Sequence, residues 1–234
     1  MIVLHHSPTT RSFRIKWLLE ELGLPYREEV RSFYNMERHD PEYRKVNPIG
    51  SFPTVEDGGL VLTESGAIIN HILRRYSDGR FMREPGSVEE AQVDEWMYWS
   101  EGLFAVHQRI FWDHCAPPPG CILDPIPAIG EEARRQAIRY AGMLESALRD
   151  DSWIVGDELS GADFMLCFPL FLANMYGWFE TLPRITAYVG RIAARPAFGR
   201  AMADTMTYLR EMRGRTPEFP SFRSTEALAY GVGT

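Results

Sequence analysis

The sequence predicts an α/β domain followed by an all-helical one. Three observations carry this reading. Over residues 1–76 short apolar runs alternate with amphipathic ones, beyond residue 88 only helical periodicity remains, and the charged, Gly- and Pro-containing SDGRFMREPGS separates the two regions. The expected boundaries are a first domain over 1–76, a linker over 77–88, a helical domain over 89–212 and a tail over 213–234.

In chain order, IVLHH is a short apolar strand, and SFRIKWLLEEL is a helix with Phe13, Trp17 and Leu18 inward and Gly23 as its stop. PYREEVRSF is a second strand. Residues 41–45 form a helical turn that ends at Asn47-Pro48-Ile49-Gly50. PTVE and LVL make a hairpin around Asp57-Gly58-Gly59, and SGAIINHILRRY is an amphipathic helix. The order β-α-β then β-β-α gives a small mixed sheet, because a βαβ unit sets its strands parallel and a tight hairpin sets them antiparallel. Four short strands and three helices make this first domain thioredoxin-like.

The helical region opens with the long run VEEAQVDEWMYWSEGLFAVHQRIFWDH, followed by a Pro-rich loop over 116–127 and helices at 129–149 and 161–176. PRITAYVGRIAAR starts at Pro183 and stops before Pro196, and a last helix covers 197–212. In GDELSGADFMLCFPL, Ser160 is an N-cap with Asp163 three residues on, a capping box, and Leu159 with Phe164 closes a hydrophobic staple. Asp163 is thereby a folding residue and not a catalytic one.

Composition narrows the function. The chain of 234 residues has 45% hydrophobic and 24% charged residues and a net charge of −7, which argues against nucleic acid as the main partner. No apolar run reaches membrane-spanning length, and MIVLHHSPTT is too short and polar for a signal peptide. The three cysteines, Cys115, Cys121 and Cys167, are an odd, sparse set that favours a reducing compartment, the cytoplasm. Cys115 and Cys121 bracket CAPPPGC, read as two loop thiols, since no His or Cys stands at zinc spacing. His5 and His6 are neighbours on a strand, point to opposite faces and do not share a metal. No metal is expected.

The stretch SFPTVEDGGLVLTESGAI carries the binding chemistry. Phe52, just before Pro53, can offer a backbone N–H and C=O to an extended peptide. Ser65, read as the N-cap of the third helix, suits a carboxylate, and Glu64 beside it suits an ammonium. Together they describe a site for an α-amino acid head group on a short peptide. The alternative is a hairpin followed by a capped helix with Glu64 solvated.

NPIGSFPTV followed by LTESGAI closely resembles the glutathione-binding signature of the glutathione transferases, and RSFRIKWLLEELGLPY and SGAD resemble that family's first helix and its helical-domain capping motif. The likeness covers roughly residues 1–210 and leans to the serine-type-like branch of bacteria and fungi. It implies the glutathione transferase fold, a cis bond at Pro53, Phe52 pairing with the cysteinyl backbone of glutathione, and Glu64 and Ser65 on the γ-glutamyl group. Ser51 departs from a pattern in which a basic residue is frequent, so Arg38 and His39 become candidates for the glycine carboxylate.

Glutathione then supplies the nucleophile. Lowering a thiol pKa from about 8.5 by two units needs roughly 2.7 kcal/mol of preferential thiolate stabilisation. The donor belongs in HSPTTRSFR. Serine-type members often place the catalytic hydroxyl four residues before an arginine in the first helix. Arg14 is that arginine, so Thr10 falls on the position, with Ser7 and then Ser12 after it and Arg11 adding positive potential. Any of these hydroxyls can equally serve as a cap for the first helix. The loop holds neither Tyr nor Cys, against a tyrosine-type mechanism or disulfide exchange. Phe104, His107, Phe111 and Trp112 on the long helix, with Tyr208 on the last, are candidates for the electrophile pocket and equally for core. The family usually forms homodimers, in which Asp94 or Glu101 of a partner can touch the glutathione amine. The expected activity is detoxifying conjugation to a small hydrophobic electrophile or reduction of an organic peroxide. The alternatives are a glutathione-dependent isomerase or dehalogenase, and a non-catalytic binding or assembly module.

Overall fold

The computed structural model describes residues 1–33, 35–117 and 124–212. They divide into two compact units, one of residues 1–82 with the helix that starts at Pro196, the other of residues 83–195.

In the first unit β1 (Ile2–His6), β2 (Tyr26–Val30), β3 (Thr54–Asp57) and β4 (Leu60–Leu62) form one sheet in the order β2-β1-β3-β4. β1 runs parallel to β2, with Ile2 opposite Tyr26, and antiparallel to β3, with His5 opposite Thr54. The crossover between β1 and β2 is α1 (Ser12–Leu22), which ends on Gly23 in the left-handed conformation, φ 68°. β1 is central, and all five of its residues are buried, so it reads as a continuous apolar run and not as an alternation. A 3₁₀ turn (Glu37–His39) and α2 (Pro41–Val46) lead to the hairpin, and α3 (Ser65–Tyr76) follows it. Asp57 ties β3 to α3: it accepts from the Tyr76 hydroxyl at 2.7 Å and pairs with His71 at 2.9 Å.

The last helix, α9 (Pro196–Met212), packs on α1. Phe198 meets Phe13 edge-on at 5.0 Å and Trp17 at 5.7 Å, and Arg200 pairs with Glu20 at 2.7 Å. The helix assigned by sequence order to the second region thus belongs to the first unit, because its apolar face is matched by the outer face of α1.

The second unit is helical. α4 (Val88–Trp99) continues through a π turn (Ser100–Phe104) into α5 (Ala105–Cys115), where one unbroken helix was expected. α6 (Pro127–Ala147), α7 (Gly161–Met175) and α8 (Pro183–Ala193) complete it. α7 is the centre, and every residue from Gly161 to Leu170 is buried. Pro169 inside it lacks the N–H that would bond the Met165 carbonyl. The buried Ser100 hydroxyl donates to that carbonyl at 3.1 Å instead, which places a side-chain donor at the π turn. The capping box forms as read from the sequence: Ser160 N–H donates to Asp163 Oδ2 at 2.7 Å, and the Tyr188 hydroxyl donates to Oδ1. Burial pushes the Asp163 carboxyl up, against these bonds. Cys115 is half-buried at the end of α5, and Cys121 lies outside the described residues.

Candidate active site

The segment before β3 is held by two buried side chains that the sequence reading passed over. Asn47 Nδ2 reaches the Ser51 carbonyl and Thr54 Oγ1, each at 2.9 Å, while its Oδ1 accepts from Ile49 N–H at 3.0 Å. The Tyr43 ring stacks on Phe52 at 5.0 Å, and its hydroxyl donates to the Ser51 carbonyl at 2.5 Å. Burial raises the Tyr43 pKa, so it stays a donor. Gly50, at φ +69°, lets the backbone pass against the Arg38 carbonyl, where a Cβ would collide. The outcome is a cis Phe52–Pro53 bond. The Phe52 backbone N–H and C=O bond to no group among the described residues, although Phe52 is only 8% exposed. A peptide group without a hydrogen-bond partner is a call for an external one.

At the start of α3 the cap position belongs to Glu64, in extended backbone, and Ser65 is the first helical residue. This shifts the expected cap by one. Glu64 is exposed and its side chain does not cap the helix. Ser65 is buried, and its hydroxyl accepts from Arg14 Nη1 at 3.0 Å. The arginine that served in the sequence as a position marker therefore puts a guanidinium against the amino end of α3. Arg38 lies over the Phe33 ring at 4.5 Å and donates to His39 Nε2 at 3.1 Å. Both sit in the 3₁₀ turn whose backbone abuts Gly50.

The three candidate hydroxyls at the start of α1 form one cluster. Thr10 Oγ1 lies 2.8 Å from the Ser7 carbonyl and 2.8 Å from Ser12 Oγ. Ser12 N–H reaches Thr10 Oγ1 at 3.3 Å, the capping role weighed above. Ser7 and Ser12 are each 0% exposed, and Thr10 is half-buried. Ser7 Oγ accepts from Phe33 N–H at 3.0 Å, tying the end of β1 to the loop after β2. Ser7 and Ser12 are therefore enclosed supports, and only Thr10 of the three has surface to offer a ligand. Arg11 occupies the α1 cap position, half-buried.

Beneath the cluster lies a charged group that periodicity does not reveal. His6 Nδ1 is 2.8 Å from Ser12 Oγ, and its Nε2 is 3.0 Å from Asp204 Oδ2 on α9 and 4.0 Å from Glu28 Oε1 on β2. The Asp204 approach is a close charge contact and not an aligned hydrogen bond. His6, Glu28 and Asp204 have the donor set of a small metal site. Lys16 Nζ, however, stands 2.8 Å from Glu28 Oε1 and 2.9 Å from Asp204 Oδ2, so an ammonium fills that role. Burial opposes ionisation of Asp204, but His6 and Lys16 outweigh it and hold the carboxyl at about 2. His5 turns to other partners, Glu56 and Arg31.

Among the candidates for electrophile contact, Phe104 is 0% exposed and stacks on Trp99 at 5.5 Å, and buried Phe111 meets Trp178 edge-on at 5.0 Å. Both are core residues of the second unit, since ring surface spent on neighbouring rings is not open to a ligand. His107 and Trp112 are half-buried. Tyr208, in the first unit, lies 2.9 Å from Ser32 Oγ through its hydroxyl.

The similarities to known proteins agree with this geometry. Residues 1–74 match the family model "Glutathione S-transferase, N-terminal domain", and residues 123–196 match "Glutathione S-transferase, C-terminal domain". The chain is 30% identical to glutathione S-transferase 3 of Schizosaccharomyces pombe, over 74% of this chain and 75% of that protein. A crystal structure of a glutathione S-transferase from Actinobacillus pleuropneumoniae superposes with a TM-score of 0.72 at 30% identity, covering 88% of this chain and 93% of that one. A glutathione transferase homolog from Lodderomyces elongisporus, described with two glutathione molecules per subunit, shares the fold at 22% identity, with a TM-score of 0.78 over 87% and 98% of the two chains. With both halves of the sequence matched in order, the chain belongs to the glutathione transferase family and is a glutathione transferase.

Proposed function

We infer that the enzyme grips glutathione by three points and ionises its thiol at Thr10, for attack on a small hydrophobic electrophile or an organic peroxide. The Phe52 backbone takes the cysteinyl peptide group, Ser65 takes the γ-glutamyl carboxylate, and Glu64 takes its ammonium. Arg38 and His39 face the glycine carboxylate. The observation that carries this reading is the Phe52 peptide group, which stands before a cis proline and has no hydrogen bond among the described residues. It is supported by the two glutathione molecules per subunit described for the Lodderomyces relative. His107 and Trp112 are the aromatic side chains of the second unit proposed to meet the electrophile. The enzyme works as a homodimer in the cytoplasm, the first as the family resemblance implies and the second because the sparse cysteines suit a reducing compartment.

The test is turnover. With glutathione and 1-chloro-2,4-dinitrobenzene, the thiolate forms a C–S bond to the ring and chloride leaves; with cumene hydroperoxide, two glutathiones become the disulfide as the peroxide becomes alcohol and water. At least one reaction is expected to proceed at a rate proportional to enzyme. Failure of both, with no heat of glutathione binding by calorimetry, overturns the reading.

A further inference from the structure

We propose that Tyr43, Asn47 and Thr54 are positioning residues for glutathione: their hydrogen bonds converge on the Ser51 carbonyl and, through the Ser51–Phe52 peptide, aim and strengthen the Phe52 N–H that receives the cysteinyl carbonyl. The proposal rests on Phe52 as the receiver of the cysteinyl peptide group.

The Ser51 carbonyl and the Phe52 N–H belong to one peptide plane, and that bond is trans. In a trans peptide the C=O and N–H point to opposite sides. Fixing the carbonyl therefore fixes where the N–H points. The carbonyl has two donors, the Tyr43 hydroxyl at 2.5 Å and Asn47 Nδ2 at 2.9 Å. The N–H at the other end of the plane has no partner among the described residues.

The hydrogens of the network are assigned by counting donors and acceptors. Asn47 Oδ1 accepts from Ile49 N–H at 3.0 Å and Gly50 N–H at 3.3 Å, which turns Nδ2 toward Ser51 and Thr54. Nδ2 has two hydrogens, one for the Ser51 carbonyl and one for Thr54 Oγ1, each at 2.9 Å. The single hydrogen of the Tyr43 hydroxyl goes to the Ser51 carbonyl. Thr54 Oγ1, 2.9 Å from the Tyr43 oxygen, then gives its own hydrogen to Tyr43. These bonds all run toward the Ser51 oxygen, directly or through Thr54 and Tyr43. Donors in line polarise one another, and a carbonyl that accepts two bonds leaves its own amide N–H more positive. Tyr43, Asn47 and Thr54 are each 0% exposed, so water neither competes for these bonds nor screens them. The Tyr43 ring is fixed as well: it stacks on Phe52 at 5.0 Å, has the His5 ring at 5.3 Å, and has the Arg31 guanidinium over it at 4.7 Å. One donor satisfies a buried carbonyl. The second donor and its supply from Thr54 go beyond what holding the turn requires.

The experiment compares two ligands by calorimetry: S-methylglutathione, and its analogue in which an E-alkene replaces the cysteinyl–glycine amide. The alkene keeps the planar, extended shape and lacks the carbonyl. The proteins are the wild type, Tyr43→Phe and Thr54→Val. The wild type is expected to bind S-methylglutathione more tightly than the analogue. Tyr43→Phe should weaken S-methylglutathione roughly fivefold, the value of about one hydrogen bond, and leave the affinity for the analogue as it was. The preference between the ligands then narrows. Thr54→Val should narrow it in the same direction by a smaller factor, and it carries the comparison if Tyr43→Phe does not fold. A loss shared equally by the two ligands means that these side chains only hold the turn, and it overturns the proposal. An unchanged preference in both variants overturns it too, and the Phe52 reading survives either result. A wild type that binds the two ligands equally shows instead that the Phe52 N–H does not receive the cysteinyl carbonyl, and the proposal falls with that reading.

Discussion

Ser65 and Arg14 illustrate how a proposed binding residue is made from two distant positions. The Ser65 hydroxyl accepts from Arg14 Nη1 at 3.0 Å in a buried setting, which fixes the serine rotamer and brings positive charge to a helix start already suited to anions. Replacing Ser65 with Ala removes the hydroxyl while keeping the helix. Glutathione affinity by calorimetry should fall by about 1–3 kcal/mol, as for a buried carboxylate left one donor short. Unaltered affinity would move the γ-glutamyl site elsewhere. The type and place of Ser65 were legible in the sequence because a Ser before an amphipathic run is a local signal. Its partnership with Arg14 was not, since nothing in the spacing of α1 against α3 sets which side chains meet. The ranking of Thr10, Ser7 and Ser12 had the same limit: exposure separates them, and exposure is made by the residues that close over Ser7 and Ser12.

Elements were easier to read than their interiors. The limits of β1, α1 and α3 match the sequence reading residue for residue, because Gly23 ends α1 and polar residues flank the apolar runs. The loop before β3 shows the opposite case. Its Asn-Pro-Ile-Gly segment reads from local pattern as a stop and by resemblance as part of a binding signature, and neither shows that Asn47, Tyr43 and Gly50 build the cis-proline turn. Gly50→Ala tests that role. A left-handed residue with a Cβ costs about 1–2 kcal/mol, before any clash with the Arg38 carbonyl. The variant should show a lower melting temperature and weaker glutathione binding together. A normal melting temperature with normal affinity would show that the turn tolerates the methyl group. The π turn at Ser100 escaped the sequence reading because Pro169, the cause of the unmatched carbonyl, lies on a different helix.

At the scale of the molecule, α9 is the main departure from sequence order. It leaves the helical unit that precedes it and lends the first unit both Phe198 and Asp204. This has a consequence for acid stability. Asp204 is held at about 2 when folded and titrates near 3.8 in its unperturbed state. A depressed carboxyl stabilises the fold above its unfolded pKa and loses that contribution as pH falls through the folded value. The contribution is about 2 kcal/mol, present above pH about 4 and gone near pH 2. A melting series over that range should show a steeper acid decline for the wild type than for Asp204→Asn. Parallel curves would mean that the His6 and Lys16 contacts add nothing to stability.

The sequence alone determined the order of strands and helices, the hairpin, and the capping box at Ser160 and Asp163. All of these are written in residues at most a few positions apart, where turn chemistry, caps and periodicity act. Tertiary structure decided which hydroxyl is exposed, which aromatic rings are core, where α9 packs, and that His6 meets Asp204. Those depend on surfaces brought together from opposite ends of the chain, and their match is one of shape and charge that no local pattern records.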